Sequence, residues 1–509
     1  MKFKELINRS NFLKDKFKNH AHNFNDVEID GISNNSKNIK KNFIFFAFSG
    51  NKTNGNLYIE EARKNGASII ISQEEKKKDI IKLQQKDFSS IYAQLCSAFY
   101  SKKPKNVIAV TGTNGKTSVV DFCRQLWNFY GFRSASIGTL GVRDTSQNSY
   151  QKISNNLTTS DPSELNKQLS KLYDKQISYV ALEASSHGII QHRLDGINLN
   201  GAIFTNLSHD HLDYHKNMSQ YFDAKKKLFT DHLKDGTCVS INLDDQYGMK
   251  LYNEIKNKNF KFVNFGFNKK SELKLIKINK IEKFWQLEIS YKNKLYKTNI
   301  GLIGHFQIYN ALAAASICLG LGMEQDSIFK SLSYLKSVPG RMQLVTHPLC
   351  KATIIVDYAH TPDALENAIL AIKKMNVSGK IYTLFGCGGE RDIEKRPKMG
   401  EVAFKNSDFT IITDDNPRTE DPSVIRKSVI NNNTKAIEIP GRNIAIKKAI
   451  SFLKDDDVLI IAGKGHEQTQ TIGIETLPFD DVSVVKNTLN SLNQWVLILK
   501  IRYCGQKMN

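Results

Sequence analysis

Val107-Ile108-Ala109-Val110-Thr111-Gly112-Thr113-Asn114-Gly115-Lys116-Thr117 is the stretch on which the reading of this chain turns. An apolar run, a glycine-bearing turn and Lys-Thr in succession read as a buried strand, a loop that cradles phosphate, and a helix start. The N–H groups of such a loop and the positive end of the following helix face an anion. Lys116 would neutralise the β/γ oxygens of ATP, and the Thr117 hydroxyl would hold Mg²⁺. A strict G-x-x-x-x-G-K-[ST] needs glycine at 110, where Val110 stands, so Gly112 must serve in a shortened loop. An accidental glycine turn is the competing reading. The apolar strand in front supplies the context that the phosphate loop requires.

Working outward, 509 residues exceed what one core supports and fit about three domains. The expected division is 1–102, 103–337 and 338–509, with a tail after about 490 that carries no readable motif. The first residues, Met1-Lys2-Phe3-Lys4-Glu5-Leu6, lack an apolar signal region. No apolar run reaches the ~18–20 residues of a membrane span, so a soluble, cytoplasmic protein without membrane insertion is expected. Seven cysteines are an odd number, scattered and without a C-x-x-C pair, which argues against a disulfide framework or a zinc knuckle. The net charge of +21 invites a nucleic-acid reading. Yet the excess is diffuse lysine in short runs such as Lys76-Lys77-Lys78, without an arginine-aromatic stripe. Solvated faces account for it, and no nucleic-acid partner is expected.

Residues 1–100 read as a polar start followed by a small α/β unit with strands at Asn42-Phe43-Ile44-Phe45-Phe46-Ala47-Phe48 and Ala67-Ser68-Ile69-Ile70-Ile71. From 106 to about 337, strands at 107–111, 179–183, 202–205 and 237–241 alternate with helical patterns, which implies a largely parallel sheet covered on both faces. Alternation at Leu287, Ile289 and Tyr291 before Lys292-Asn293-Lys294 predicts an appended antiparallel hairpin. Ile308, Leu312, Ala315 and Leu319 recur at helical spacing, with Gly322 as a cap.

A third series begins after Val338-Pro339-Gly340. Its strands are expected at 353–358, 380–385, 409–413, 435–439 and 457–462, and its first helix opens with Thr361 and Pro362. Ligands of such Rossmann-like sheets sit beyond the carboxyl ends of the strands. Asp357-Tyr358-Ala359-His360, Gly386-Cys387-Gly388-Gly389, Asp414-Asp415-Asn416-Pro417-Arg418 and Gly463-Lys464-Gly465-His466-Glu467 fall there.

In the middle series Glu183 ends a strand, and Ser208-His209-Asp210-His211-Leu212-Asp213-Tyr214-His215 follows another. Zinc is one reading of the three histidines. Their i, i+2, i+6 spacing is not a usual zinc pattern, and an ATP site needs Mg²⁺ ligands at strand ends, so Glu183 and His211 are read as Mg²⁺ ligands. His209 and His215 read better as hydrogen-bonded structural histidines.

Taken together, Thr-Gly-Thr-Asn-Gly-Lys-Thr (111–117), Glu-Ala-Ser-Ser-His-Gly-Ile-Ile-Gln-His-Arg (183–193), Asn-Leu-Ser-His-Asp-His-Leu-Asp-Tyr-His (206–215), Tyr-Phe-Asp-Ala-Lys (221–225), Gly-Arg-Met (340–342) and Asp-Tyr-Ala-His-Thr-Pro-Asp-Ala-Leu (357–365) resemble the Mur ligases of bacterial cell-wall synthesis. The resemblance spans about 26 to 490 and points to the members that add the third residue of the stem peptide. Departures are His209 for a common arginine, Gln343 where glutamate often follows Gly-Arg-Met, and Asn35-Ser36-Lys37 for Asp-Ser-Arg. The resemblance implies a small UDP-binding α/β domain, a central P-loop ATPase-like domain and a C-terminal amino-acid-binding domain.

Residue by residue, the resemblance implies that Asn34, Ser36, Asn51, Lys52 and Thr53 hold the UDP group, and that Thr158, Thr159, Ser185, Gln191 and Arg193 hold the muramoyl-dipeptide. It assigns Gly112, Thr113, Asn114, Gly115, Lys116, Thr117, Asn310, Arg341 and Asp357 to ATP, and Lys116, Lys225 and His211 to catalysis. Lys225 matches the family's carbamylated lysine, which would join Thr117, Glu183 and His211 at the metal; its spacing alone reads as a plain surface lysine in a basic helix. Arg391, Asp415, Asn416, Pro417, Arg418, Gly463 and Glu467 suit a zwitterion, and Asp-Asn-Pro-Arg resembles the family's meso-diaminopimelate sequence.

The expected reaction is ATP-dependent addition of meso-diaminopimelate to the D-glutamyl γ-carboxylate of UDP-N-acetylmuramoyl-L-alanyl-D-glutamate through an acyl phosphate, by a monomer. Two alternatives stay open: a folylpolyglutamate-type ligase, and a basic P-loop ATPase that binds nucleic acid.

Overall fold

The computed structural model describes residues 1–18, 22–50, 54–74, 80–146, 149–151, 157–208, 212–281, 284–348, 350–375 and 377–491. They form two compact units, one of Met1–Ile278, Leu287–Asn299 and Tyr309–Tyr334, the other of Asn279–Gln286, Ile300–Ile308 and the chain from Leu335.

In the first unit the expected strand Asn106–Thr111 is the middle member of a seven-stranded sheet. The order is Lys261–Phe262, Cys238–Ile241, Gly201–Phe204, Asn106–Thr111, Tyr179–Glu183, Ser134–Gly138 and Gly141–Asp144. All neighbours pair in parallel except the last two, which form an antiparallel edge. Val107, Ala109, Val180, Leu182, Ala202 and Phe204 share one buried cluster. Their alternates Ile108, Val110, Ala181 and Ile203 are buried as well, so both faces are covered, which is why these strands read as unbroken apolar runs.

The same unit carries a four-stranded parallel sheet of Gly31–Ser33, Phe43–Ala47, Ala67–Ser72 and Ile80–Lys82. The start of the chain corrects the sequence reading. It is not merely polar: helices Phe3–Ile7 and Asn11–Phe17 bury Phe3, Leu6, Leu13 and Phe17 against this sheet. Each helix is under two turns, too short for its apolar positions to show a period among the lysines. The predicted hairpin is present at Phe284–Tyr291 and Lys294–Ile300, and Lys292 and Asn293 both take positive φ, 48° and 61°, as a tight two-residue turn demands.

The second unit is built on a six-stranded sheet ordered Gln343–His347, Cys350–Asp357, Val458–Ala462, Ile381–Phe385, Phe409–Ile412 and Ala436–Glu438. Only the Gln343–His347 edge is antiparallel, and it was not foreseen. Ile355, Phe385, Ile412 and Ile460 face one core, while Val356, Leu384, Ile411 and Ile461 face the other. Thr361 caps the helix Pro362–Lys373 by accepting Ala364 N–H at 3.3 Å, with proline at its first turn. A hairpin of Thr469–Ile472 and Glu475–Pro478 follows the last strand and had no clear signal.

Candidate active site

The loop after the central strand turns on two glycines with left-handed φ, Gly112 at 147° and Gly115 at 87°, and Gly115 leads directly into the helix Lys116–Phe129. A Cβ at Gly115 would fall 2.3 Å from Asn310 Oδ1, and one at Gly112 would fall 1.9 Å from Thr205 Oγ1. Asn310 is therefore seated against the loop. The loop is pinned from outside: Thr113 N donates to Asn206 O at 2.9 Å, Asn114 N to Asn206 Oδ1 at 3.0 Å, and Ser208 N to Thr113 Oγ1 at 3.0 Å. Lys116 Nζ arches over this cradle, donating to Gly112 O at 2.9 Å and Thr113 O at 2.8 Å. Thr117 is buried one residue along.

Lys225 settles differently from its spacing. It is 1 % exposed, donates to Gly112 O at 2.9 Å, and lies 4.4 Å over the Tyr221 ring. A lysine on this face of Met218–Asp231 is directed at the loop, and the plain surface reading does not hold. Tyr221 in turn meets Thr113 Oγ1 through its hydroxyl at 3.3 Å, and its ring stacks on His215. His215 is buried with Nε2 at 2.8 Å from Ser186 Oγ, the structural role read for it. His209, Asp210 and His211 lie outside the described residues, so the expected role of His211 has no geometry here.

Glu183 is buried, and its carboxylate accepts Thr139 N–H at 2.9 Å and Thr139 O–H at 3.2 Å. Thr139 Oγ1 also reaches Thr158 Oγ1 at 3.2 Å. Thr159 Oγ1 lies 3.1 Å from Ser185 Oγ, Arg193 Nη1 donates to Thr159 O at 2.5 Å, and Arg193 Nη2 to Gln191 Oε1 at 2.6 Å. The five residues expected at the muramoyl-dipeptide thus form one connected row beside Glu183.

Asp161 joins this row to the first sheet, and the sequence reading missed it. It accepts Asn34 Nδ2 at 2.9 Å and Tyr92 Oη at 2.7 Å, and it caps Pro162–Asp174. Its signal was the Asp-Pro helix start. Desolvation raises its carboxyl above the ordinary range. Ser36 is also buried but donates to Glu61 Oε2 at 2.6 Å. Asn51, Lys52 and Thr53 lie outside the described residues. A cavity of about 1020 Å³ opens at the amino-terminal ends of the central strands, lined by Lys103, Lys105, Asn200, His192, Asp195 and Lys234. The phosphate loop occupies the opposite, carboxyl ends.

In the second unit the expected residues gather at the carboxyl ends of their strands. Asp357 receives Met342 N–H at 2.7 Å and Ala359 N–H at 2.8 Å; desolvation raises its carboxyl, and Arg341 opposes the shift. Arg341 lies 4.6 Å over the Tyr358 ring. The turn 386–389 is packed on the 413–418 loop so closely that a Cβ at Gly389 would stand 1.9 Å from Pro417 O. Gly388 faces Arg418 Nη1 and the Arg391 stem, and Gly463 faces Asp415 Oδ2. Arg418, at φ 53°, donates Nη1 to Gly389 O. Asn416 Nδ2 donates to Glu467 Oε2 at 3.0 Å. Burial raises the Tyr358 hydroxyl pKa, with Glu467, Asp415 and Arg391 all close enough to act on it. Two residues that sequence reading left unassigned underlie this cluster, Lys464 and Arg442.

A phosphate cradle with a lysine at its helix start and a second strand-end cluster of opposed charges define a nucleotide-dependent enzyme of the α/β class. Residues 110–318 match the Mur ligase middle domain, 340–465 the Mur ligase glutamate ligase domain, and 28–107 the Mur ligase family catalytic domain. The UDP-N-acetylmuramoyl-L-alanyl-D-glutamate–2,6-diaminopimelate ligase of Rickettsia montanensis is 42% identical over 467 residues, covering 91% of this chain and 96% of its own. A solved structure of a ligase of that same description superposes with a TM-score of 0.66 at 30% identity, covering 91% of this chain and 95% of the other. The fold is shared with the MurF ligase from Thermotoga maritima in complex with ADP, at a TM-score of 0.61 and 19% identity, with coverages of 91% and 97%. The chain belongs to the Mur ligase family of three-domain, ATP-dependent amide-forming ligases. Among the described residues no helix is long and apolar enough to cross a membrane.

Proposed function

We propose that this chain adds meso-diaminopimelate to the D-glutamyl γ-carboxylate of UDP-N-acetylmuramoyl-L-alanyl-D-glutamate, with ATP converted to ADP and phosphate. The observation that supports the choice of amino acid is the folding of Asp415–Arg418 onto Gly388–Gly389 and Gly463, which gathers two guanidinium groups and two carboxylates on one strand-end surface. Diaminopimelate has a distal carboxylate and amine to match them. Arg418 and Arg391 would hold carboxylate by paired N–H donors, and Asp415 or Glu467 an ammonium. Pro417 stiffens the loop between them.

The division of labour follows the sequence: 1–102 for UDP, with Asn34, Ser36, Asn51, Lys52 and Thr53; 103–337 for ATP and the dipeptide; 338–509 for the amino acid. A carboxylate is a poor acyl donor, so the γ-carboxylate is activated as its acyl phosphate before the amine attacks. Lys116 and the loop N–H groups stabilise charge on the transferring phosphoryl group, and the remaining contribution is positioning. Thr158, Thr159, Ser185, Gln191 and Arg193 orient the dipeptide, while Asn310 joins the nucleotide contacts of the loop.

The buried Thr117 hydroxyl and Glu183 carboxylate are hard oxygen donors of the kind Mg²⁺ takes, and they fit that ion. With His211, and with Lys225 as its carbamate, they would hold Mg²⁺, which neutralises phosphate charge when bound. Carbamylation would turn Lys225 from a cation facing Gly112 into an anion with two acceptor oxygens. The free cysteines among the described residues fit a reducing, cytoplasmic setting, and the chain acts as a monomer on small-molecule substrates.

The test is phosphate release and product mass with UDP-muramoyl-dipeptide, ATP and each candidate amino acid. A mass increase matching diaminopimelate is expected. Preference for L-lysine or for glutamate, or ATP turnover driven by nucleic acid instead, would overturn the reading.

A further inference from the structure

The basic residue at the heart of the second cluster is Lys464, and its surroundings are unlike those of the chain's many surface lysines. Its side chain is fully buried, at 0 % exposure, at the end of the strand Val458–Ala462. Its ammonium donates to Asn416 Oδ1 at 3.0 Å and to Glu467 Oε2 at 3.0 Å. Asn416 closes the triangle by donating Nδ2 to the same Glu467 Oε2 at 3.0 Å, and its Oδ1 also accepts Thr471 N–H at 3.0 Å. Lys464 O accepts Glu467 N–H at 3.0 Å, so backbone and side chain fix the same residue.

Two of these donors, the Lys464 ammonium and the Asn416 amide, converge on one carboxylate oxygen of Glu467. The other, Oε1, accepts no hydrogen bond among the described residues, and the Glu467 side chain is 33 % exposed. A carboxylate held at one oxygen by an ammonium and an amide cannot rotate without breaking charge-assisted bonds. The second oxygen is then presented in a fixed direction. Resting on the reading of this cluster as the amino-acid site, we propose that Lys464 is a positioning residue. Its buried ammonium clamps Glu467 Oε2 and Asn416 Oδ1, so that Glu467 Oε1 is aimed at the ammonium of the incoming amino acid.

Lys464 touches no substrate in this arrangement. It acts through Glu467, and that distinguishes it from a residue that merely holds the fold. Without the ammonium, Glu467 keeps its charge but loses its direction, which weakens ground-state binding of the amino acid more than the chemical step.

The experiment is a double-mutant cycle on the full-length enzyme, with Lys464→Met, Glu467→Gln and both, reading KM and kcat for meso-diaminopimelate at saturating ATP and UDP-muramoyl-dipeptide. Lys464→Met is expected to raise KM about tenfold or more with kcat within about threefold, as loss of uniform binding requires. In the Glu467→Gln background the same substitution should raise KM less than about twofold further, because the group it orients is already disabled. Additive effects, or an unchanged KM in Lys464→Met while Glu467→Gln raises it, would overturn the proposal and leave the site reading intact. An unchanged KM in Glu467→Gln would instead show that the site reading itself fails. Should Lys464→Met not fold, Lys464→Gln, which keeps a donor on a shorter stem, carries the same cycle.

Discussion

Arg442 and Asp481 form an ion pair with both side chains 0 % exposed, joined at 2.7 Å through Nε and again at 2.7 Å through Nη2. Nη2 also donates to Ala462 O at 2.9 Å, at the residue before Gly463. Desolvation works against the guanidinium charge, and Asp481 more than offsets it. Asp481→Asn removes the counter-charge at constant shape. Arginine cannot shed its proton to escape, so the folded state must bury an uncompensated cation. Breaking one side of a buried pair costs about 3–5 kcal/mol. For a unit of this size that lowers Tm on the order of 10 °C. The double variant Arg442→Met/Asp481→Leu buries no charge and should recover most of the loss, since apolar replacement of a buried pair is often neutral or better. Calorimetry of the parent, the single and the double variants is the assay. A single variant within about 1 kcal/mol of the parent, or a double variant no more stable than the single, would refute the reasoning.

Lys116→Ala should lower turnover by about 10³-fold or more in a folded protein, because it removes the cation arched over the phosphate loop; near-normal turnover would sink that assignment. Lys225→Ala should be nearly inactive and partly rescued by a short-chain carboxylate that enters the vacated space, and an active alanine variant would defeat the carbamate reading. Wild-type discrimination against L-lysine is expected on the order of 10²-fold in kcat/KM, and Arg418→Ala should erase most of it; equal use of both amino acids by the wild type would contradict the assignment. His192 is hydrogen-bonded to Asp195 at 3.1 Å, which raises its pKa above the ordinary 6.5. Its contribution is fully present below that value and is lost as pH rises through the raised native value. His192→Gln should therefore destabilise by under about 1 kcal/mol at pH 5.5 and not at pH 9, and an equal loss at both would exclude the pair as its cause.

What the sequence made legible follows its periods. Strands buried on both faces print unbroken apolar runs, so Asn106–Thr111, Tyr179–Glu183 and Val458–Ala462 were readable to within a residue or so. Lys292-Asn293 between alternating runs announced its hairpin through turn chemistry. The short helices at the start, the antiparallel edge Gln343–His347 and the hairpin after 468 were not readable. The helices are held by contacts to distant chain, while the edge strand and the hairpin pair locally with most of their side chains exposed or half-buried and so print no apolar run.

The candidate sites divide along a different line. Residue types at strand ends are visible in a sequence, but burial is not, and in a chain with a net charge of +21 burial is what separates the lysines. Lys225, Lys226 and Lys227 are one run in the sequence. In the fold Lys225 is buried on the phosphate loop, Lys226 pairs with Glu254 at 2.9 Å, and Lys227 is exposed. A helix turns its residues about 100° apart, so three consecutive lysines cannot share one environment. Lys464 had even less to mark it, lying between two glycines in a run whose glutamate drew attention first. A buried cation persists where partners offset its desolvation. Among the described residues Lys225 and Lys464 are the lysines set apart by burial, Lys225 with its ammonium on Gly112 O of the phosphate loop and Lys464 with its ammonium between Asn416 and Glu467, one at each candidate site.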